Sequence, residues 1–177
     1  MNEKLTAQYL FKTFLLAIIF STSALHTSAQ EIKIGVMQHD FDTKFGHRHE
    51  KGQNIIVEYL FDKTQNFLRA FPHVGASINS KGYTSNIYTG LTWRIDLGDI
   101  FLVEASLGAA INNAERKTTK KRRALGANIL FRESFAVGFR FAEMHSISVM
   151  IDHMSSADIA KPNPGITDIG LRYGYSF

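Results

Sequence analysis

From Glu31 onward the chain consists of repeated segments in which apolar and polar residues alternate with a period of two. This alternation is typical of β-strands whose two faces meet different surroundings, because successive side chains on a strand point to opposite sides. In residues 84–97, for example, the odd positions carry Ile87 and Trp93, while most even positions are polar. We find no segment with the 3.6-residue period of an amphipathic helix, and the sequence therefore predicts an all-β protein.

Eight such segments predict eight strands, most of them close to the roughly 9–11 residues that a tilted membrane-spanning strand needs. The predicted strands are 31–39, 53–62, 69–78, 84–97, 100–112, 125–141, 145–155 and 166–177. Their connections alternate between long polar stretches and shorter turns such as Gly98-Asp99, as expected for long outer loops and short periplasmic turns. We therefore predict an eight-stranded antiparallel transmembrane β-barrel, a closed sheet that leaves no strand edge.

A soluble β-sandwich is the alternative all-β fold, but its apolar side chains would have to meet in one shared core. The sixth predicted strand carries an apolar stripe that is too long for a small sandwich and that alternates with polar positions. Its members are Leu125, Ile129, Phe131, Phe135, Val137, Phe139 and Phe141. We expect the apolar faces to lie outside, in lipid. The exterior residues should include Leu91, Trp93, Leu107, Phe131 and Phe139.

The first residues have the layout of a cleaved secretory signal. Lys4 and Lys12 precede an apolar run at 14–20. Small residues follow this run up to Ala29, after which we place the cleavage. This run is far shorter than the ~20 apolar residues of a membrane-spanning helix, and no later run is longer. The sequence thus predicts a signal peptide over 1–29, a barrel domain over 30–177, and location in the outer membrane of a Gram-negative cell.

Cysteine content and charge exclude several classes of protein. The chain has no cysteine, which excludes a small disulfide-stapled scaffold, and its net charge is only +4. Six basic residues are concentrated in residues 116–123, on one predicted outer loop, so a local anionic partner such as a phosphate is favoured over nucleic acid. His47 and His49 have no evident third ligand, and we predict neither a metal nor a cofactor.

The seventh predicted strand brings a histidine and a serine to the lipid-facing side. His153 and Ser155 are two positions apart, so their side chains are neighbours on one face. An imidazole beside a hydroxyl can act as a general base and make the hydroxyl a nucleophile. A nucleophile that faces lipid requires a lipid ester as its substrate. Taken alone, a His-x-Ser pair at a membrane interface is more often just two polar residues at the rim.

The residues beyond this pair carry a family resemblance. The segment His153-Met154-Ser155-Ser156-Ala157, the turn Pro162-Asn163-Pro164-Gly165 and the tyrosine-rich last strand are similar to the C-terminal block of the PagL-type lipid A 3-O-deacylases. The similarity covers about residues 145–177. It implies an eight-stranded outer-membrane barrel with a serine esterase site on its exterior and with lipid A of lipopolysaccharide as substrate. It also implies that His153 is the general base and Ser155 the nucleophile.

Three positions depart from the family pattern. Ser156 stands where the family has an asparagine that helps form the oxyanion hole, and Asp158 stands where the family has a glycine. The family's triad glutamate falls on Thr167, which should point outward but carries no charge. Asp168 follows directly and is a candidate acid, although we expect it to point inward unless a bulge turns it.

Strand register suggests a second candidate acid. If a three-residue turn at 142–144 pairs Phe141 with His145, then Glu133 lies directly opposite His153 on the neighbouring strand. Glu133 is the one charged residue on its apolar stripe, where a carboxylate exposed to lipid is costly without compensation. The alternative explanations are a bulge or a bond to Arg132 or to a loop. Glu133 and Asp168 are thus both candidates for the group that orients the histidine.

These observations predict a carboxylic ester hydrolase that removes a fatty acyl chain from lipid A. The rival interpretation is a catalytically silent small barrel with a structural or surface-interaction role, which the departures at Ser156 and Thr167 keep open. The sequence leaves open which acyl position is cleaved and whether the barrel forms a homodimer.

Overall fold

The chain forms a closed antiparallel β-barrel in the computed structural model, which describes residues 29–41, 50–66, 68–115, 117, 119 and 122–177. Its strands are β1 (Ala29–Gln38), β2 (Gln53–Phe61), β3 (Phe71–Asn79), β4 (Asn86–Leu97), β5 (Phe101–Asn112), β6 (Ile129–Phe141), β7 (His145–Ser155) and β8 (Ile166–Ser176). Each strand pairs with the next along the chain, and β8 pairs with β1 to close the sheet. The predicted eight-stranded barrel is confirmed.

Residues 1–28 of the predicted signal peptide lie outside the described part of the chain, and β1 begins at Ala29. Within the described residues, no helix is long and apolar enough to cross a membrane.

The strand boundaries agree with the predicted ones to within two residues, except at the start of β6. This strand begins at Ile129, four residues later than expected. Leu125 is fully buried in an apolar cluster with Tyr88 and Leu130, so its predicted place on the exterior stripe is wrong. The extended chain is interrupted before β6 because Gly126 has a left-handed backbone conformation, with φ of 74°.

The two faces of the sheet have opposite character. The exposed outward-facing side chains include Ile87, Leu107, Phe131, Phe139, Val149 and Leu171. Leu91 and Trp93 lie on the same face but are partly covered, and the indole N–H of Trp93 donates to the carbonyl of Leu68 at 3.0 Å. An apolar exterior around a polar interior is the arrangement of an outer-membrane transmembrane barrel, as predicted.

Ion pairs fill the interior. The ammonium of Lys33 donates to both carboxylate oxygens of Glu104, at 2.7 and 2.6 Å, and the guanidinium of Arg172 joins Glu104 to Glu58 at 2.7 and 2.9 Å. All four side chains are almost completely buried. Because an unpaired buried charge is strongly destabilising, the barrel retains these charges only as a mutually compensating network.

Four connections leave and re-enter the sheet at the same end of the barrel, which we call the long-loop end. They are 39–52, 80–85, 113–128 and 156–165. The strands β7 and β8 meet at this end, with His153 near the last residue of β7 and Thr167 near the first residue of β8. The residues singled out from the sequence therefore lie beside the long loops.

Candidate active site

Strand β7 presents His153 and Ser155 on the exterior of the barrel. Burial alternates along this strand, with Asp152 and Met154 facing the interior and the two candidate residues partly exposed on the other side. The predicted outward direction of both side chains is thus confirmed. Ile151 continues the same row and is exposed, so the pair adjoins the surface that contacts lipid.

A depression of about 320 Å³ lies on the exterior at this position. It is lined by Leu107, Phe131, Glu133, His153, Ser155 and Ala157, from three adjacent strands and the loop after β7. Its lining combines the apolar side chains of Leu107, Phe131 and Ala157 with the polar groups of Ser155, His153 and Glu133. This combination suits a ligand with a fatty chain and a polar group close together.

Glu133 lies where the register argument placed it. Strands β6 and β7 are joined by the turn 142–144 and pair without interruption from Phe141 opposite His145 to Glu133 opposite His153. The predicted register is therefore confirmed. The Glu133 side chain is exposed on the outer face, with Leu107 opposite it on the other neighbouring strand.

The imidazole of His153 is held on its other side by β8. Its Nδ1 atom lies 2.8 Å from the hydroxyl oxygen of Thr167, the residue directly opposite it on that strand. Among the described contacts, this is the hydrogen bond that the imidazole makes. Thr167, on which the sequence resemblance placed the family's triad glutamate, is therefore in direct contact with the histidine.

Gly165 supports the same ring from the loop that precedes β8. A Cβ atom on Gly165 would lie 2.7 Å from Cε1 and 3.0 Å from Nε2 of His153, so only glycine leaves room for the imidazole in this place. The backbone of Gly165 is also left-handed, with φ of 62°. The turn that contains this glycine was evident from the sequence, but its contact with the histidine was not, because it joins a loop to a separate strand.

Asp168 points into the barrel, away from His153. The pairing of β7 with β8 continues without a bulge, and Asp168 lies opposite the inward-facing Asp152. Its carboxylate accepts hydrogen bonds from the side chain of Asn54 and the backbone N–H of Asp40. The bulge that would have brought Asp168 to the histidine is absent from β8, so Asp168 is not a candidate for direct contact with the imidazole.

The main partner of Asp168 is a second histidine. His39 is buried, with Nδ1 at 2.9 Å from Asp168 and Nε2 at 3.0 Å from Glu50. We call His39, Asp40, Glu50, Arg123 and Asp168 the rim cluster. Burial alone would lower the pKa of His39, but the hydrogen bonds to Asp168 and Glu50 outweigh it and raise the pKa to about 9.

Glu50 is affected in the opposite direction. Burial alone would raise its pKa, but hydrogen bonds from His39 and from the backbone N–H groups of Thr84 and Arg123 lower the pKa to about 2. Within the rim cluster, a protonated His39 imidazole therefore lies beside an ionised Glu50 carboxylate at neutral pH.

The loop after Ser155 is closed by its own hydrogen bonds. The side-chain oxygen of Asn163 accepts from the backbone N–H of Ser156 at 2.9 Å, and the Ser156 hydroxyl donates to the carbonyl of Ala160 at 2.8 Å. Ser156 thus serves the loop structure. Asp158 has a φ of 61°, a left-handed conformation that a glycine would adopt more readily.

The described basic residues of 116–123 have different surroundings. Arg123 belongs to the rim cluster: its guanidinium lies 3.2 Å from Asp40 and donates to the carbonyl of Gly165 at 3.2 Å. Arg122 pairs with Glu115 at 3.5 Å on the surface, and Lys117 is exposed. Arg116, Lys120, Lys121, His47 and His49 lie outside the described residues.

Comparisons with known proteins agree with the resemblance found in the sequence. Residues 96–176 match the model of the family described as lipid A 3-O-deacylase (PagL). A relative named lipid A deacylase PagL, from Bordetella bronchiseptica, is 30% identical over 80 residues, which are 45% of this chain and 43% of the relative. The aligned part of this chain therefore spans less than half the length of that relative.

Structural comparison extends the similarity to the whole barrel. The crystal structure of the outer membrane enzyme PagL superposes with a TM-score of 0.60 at 17% identity, covering 85% of this chain and all of the other. A de novo designed transmembrane β-barrel superposes with a TM-score of 0.53 at 9% identity, covering 86% of this chain and 98% of the other. At such low identities these matches show the fold.

The residues matched by the family model and the barrel matched by structure both include the strands that carry His153, Ser155, Glu133 and Thr167. The resemblance predicted from the sequence is confirmed for residues 96–176, which match the lipid A 3-O-deacylase (PagL) family.

Proposed function

We propose that this protein is an outer-membrane esterase that removes an ester-linked fatty acyl chain from lipid A, by 3-O-deacylation. The observation that carries the proposal is the depression in which Ser155, His153 and apolar side chains meet on the lipid-facing surface. A fatty acyl ester has the same combination of an apolar chain and a reactive polar group. The match of this part of the chain to a deacylase family supports the same substrate class.

The chemistry follows the serine–histidine pattern. The Ser155 oxygen attacks the acyl carbonyl carbon while His153 takes the hydroxyl proton. The ester C–O bond then breaks, and the imidazolium returns the proton to the oxygen that leaves with the sugar. A water molecule, deprotonated by His153, hydrolyses the acyl-enzyme and releases the fatty acid. All the residues involved belong to one barrel, so a homodimer is not required.

Glu133 is the carboxylate that we assign to this site. It lies opposite His153 and lines the same depression, whereas Asp168 is directed into the lumen. A negative charge near the histidine stabilises the imidazolium that forms during the reaction. This role also accounts for a carboxylate on an otherwise apolar outer face, where it would be costly without a function.

The long-loop end is proposed to face the cell exterior, so that the site lies at the depth of the outer leaflet, where lipopolysaccharide is found. Export through the predicted signal at 1–29 is consistent with this orientation. Exposed Lys117, with its basic neighbours in the loop 113–128, is proposed to bind a phosphate of lipid A.

Mass spectrometry of lipid A from cells with and without the expressed protein tests this function. We expect the native protein to release one ester-linked acyl chain and Ser155→Ala to release none. Ser148→Ala is a matched control, because it removes a hydroxyl from the same strand on the interior face. Deacylation by a folded Ser155→Ala variant, or intact lipid A with the native protein, would support the silent-barrel interpretation instead.

A further inference from the structure

We infer that Thr167 is a positioning residue, which accepts the Nδ1–H of His153 and so leaves Nε2 as the basic nitrogen. In a serine–histidine–acid triad one carboxylate both orients the imidazole and compensates its charge. Here the geometry points to a division of these two tasks, with orientation supplied by Thr167 and charge by Glu133. The inference rests on the proposed esterase function and adds to it the way in which the histidine is held.

The hydrogen bond between His153 and Thr167 holds one nitrogen of the imidazole ring. Its length, 2.8 Å, lies within the range of a good hydrogen bond, and the two residues are directly opposed on paired strands. If the hydroxyl accepts from Nδ1, the proton of the neutral imidazole is fixed there, and Nε2 has a lone pair for the serine proton.

Gly165 limits where the imidazole ring of His153 can lie. The imidazole edge formed by Cε1 and Nε2 is in contact with the glycine backbone, in a space that a Cβ atom would occupy. The ring is thus located by Thr167 at one nitrogen and by Gly165 along the other edge. Because Gly165 supplies the steric contact, an uncharged threonine is sufficient to supply the hydrogen bond.

Glu133 places a carboxylate on the other side of His153 from Thr167. Glu133 is on the strand at the other side of His153, and side chains directly opposed on antiparallel strands are close enough to interact. At a surface in contact with lipid the attraction between a carboxylate and an imidazolium is weakly screened. Glu133 can therefore stabilise the imidazolium although the described hydrogen bond of the ring goes to Thr167.

Steady-state kinetics of the purified full-length protein on lipid A in detergent, measured across pH, test the division. We expect Thr167→Val to lower kcat by about tenfold, the value of one ordinary hydrogen bond, with little change in KM. Thr167→Ser retains the hydroxyl and should keep most of the activity. Thr89→Val is the matched control, because Thr89 is another outward-facing threonine, on β4, whose hydroxyl bonds to a backbone carbonyl.

A carboxylate at position 167 should both orient the imidazole of His153 and compensate its charge. We expect Thr167→Glu to move the acidic limb of the pH–rate profile to higher pH, because a carboxylate beside Nδ1 stabilises the protonated imidazole. We also expect Thr167→Glu to restore activity to a Glu133→Gln variant. A purely structural contribution of Thr167 would produce neither the pH shift nor the rescue.

Nitrogen NMR of histidine-labelled protein gives a readout that does not depend on turnover. In the Ser155→Ala background we expect neutral His153 to be protonated at Nδ1, and Thr167→Val to shift the population toward the other tautomer. Protonation at Nε2 in the native arrangement, or unchanged kinetics in Thr167→Val, would overturn the positioning role. If Ser155→Ala is inactive in either case, the proposed function still holds, whereas an active Ser155→Ala variant overturns the function itself.

Discussion

Glu133 is the residue that is hardest to explain by stability alone. It stands among apolar, exposed neighbours on β6, and a charged group in that environment is destabilising unless something compensates it. The interior of the barrel offers compensating partners, but Glu133 faces the other way, toward His153 and Leu107. Because Glu133 lines the exterior depression together with His153 and Ser155, we propose a chemical role for it.

We expect Glu133→Gln to lower kcat by about tenfold to a hundredfold while the barrel still assembles, because the His153 imidazolium loses a nearby negative charge. Asp168→Asn should lower activity less than Glu133→Gln at neutral pH, because it acts on His153 only indirectly, by weakening the rim cluster. The check is to compare lipid A deacylation rates with thermal stability for both variants.

Glu143→Gln is a suitable control for the loss of one exposed carboxylate, since Glu143 lies in the turn between β6 and β7, away from the long-loop end. A larger loss of activity in Asp168→Asn than in Glu133→Gln would contradict the assignment.

Among the elements, the strands and their register could be predicted from the sequence, whereas the loop contacts could not. Alternation determines the outward face, and the three-residue turn between β6 and β7 determines which residue opposes His153. Leu125 was misplaced because its apolar side chain continues the stripe of β6, although Gly126 ends the extended backbone. The pairing of His39 with Asp168 joins residues 129 positions apart and leaves no local pattern.

The loop between β5 and β6 contributes to the site through Arg123. Its guanidinium joins the carboxylate of Asp40 to the carbonyl of Gly165, the glycine that contacts the imidazole of His153. We expect Arg123→Met to lower kcat several-fold and to reduce stability by about 1–3 kcal/mol, because the buried Asp40 carboxylate and the Gly165 carbonyl each lose one charged donor.

Lys117→Ala provides the contrast, since Lys117 is exposed on the same loop. This variant should raise KM for phosphorylated lipid A, more at low salt than at high salt, and leave kcat unchanged. Kinetics of both variants at two ionic strengths separate the roles. A salt-sensitive KM effect in Arg123→Met, with kcat unchanged, would assign Arg123 to phosphate binding instead.

For the whole molecule, the distribution of charge follows from the two environments that the barrel separates. The interior network of Lys33, Glu104, Arg172 and Glu58 is enclosed by the sheet, where each charge has an opposite partner. The outward-facing side chains of the described strands are mostly apolar away from the depression. The rim cluster is the polar structure that lies at the long-loop end, and through Asp168 it is attached to the start of β8, one residue from Thr167.

This attachment predicts how stability and activity depend on pH. The pKa of His39 is raised to about 9, so its contribution is complete below the unfolded pKa of 6.5 and is lost as pH rises through 9. The pKa of Glu50 is lowered to about 2, so its contribution is present above 4.5 and is lost as pH falls toward 2. The rim cluster should therefore be most stable between about pH 4.5 and 6.5.

We expect the thermal stability of the detergent-solubilised barrel to decline between about pH 6.5 and 9.5, with a loss on the order of 3 kcal/mol if the whole His39 shift is expressed. His39→Gln should flatten this decline, whereas His145→Gln, at the opposite end of the barrel, should preserve it. Because Asp168 is adjacent to Thr167, loosening of the rim cluster should also disturb the hydrogen bond to His153. Activity should then fall over the same alkaline range in the native protein, and a stability that is constant from pH 6 to 9.5 would refute the role of His39.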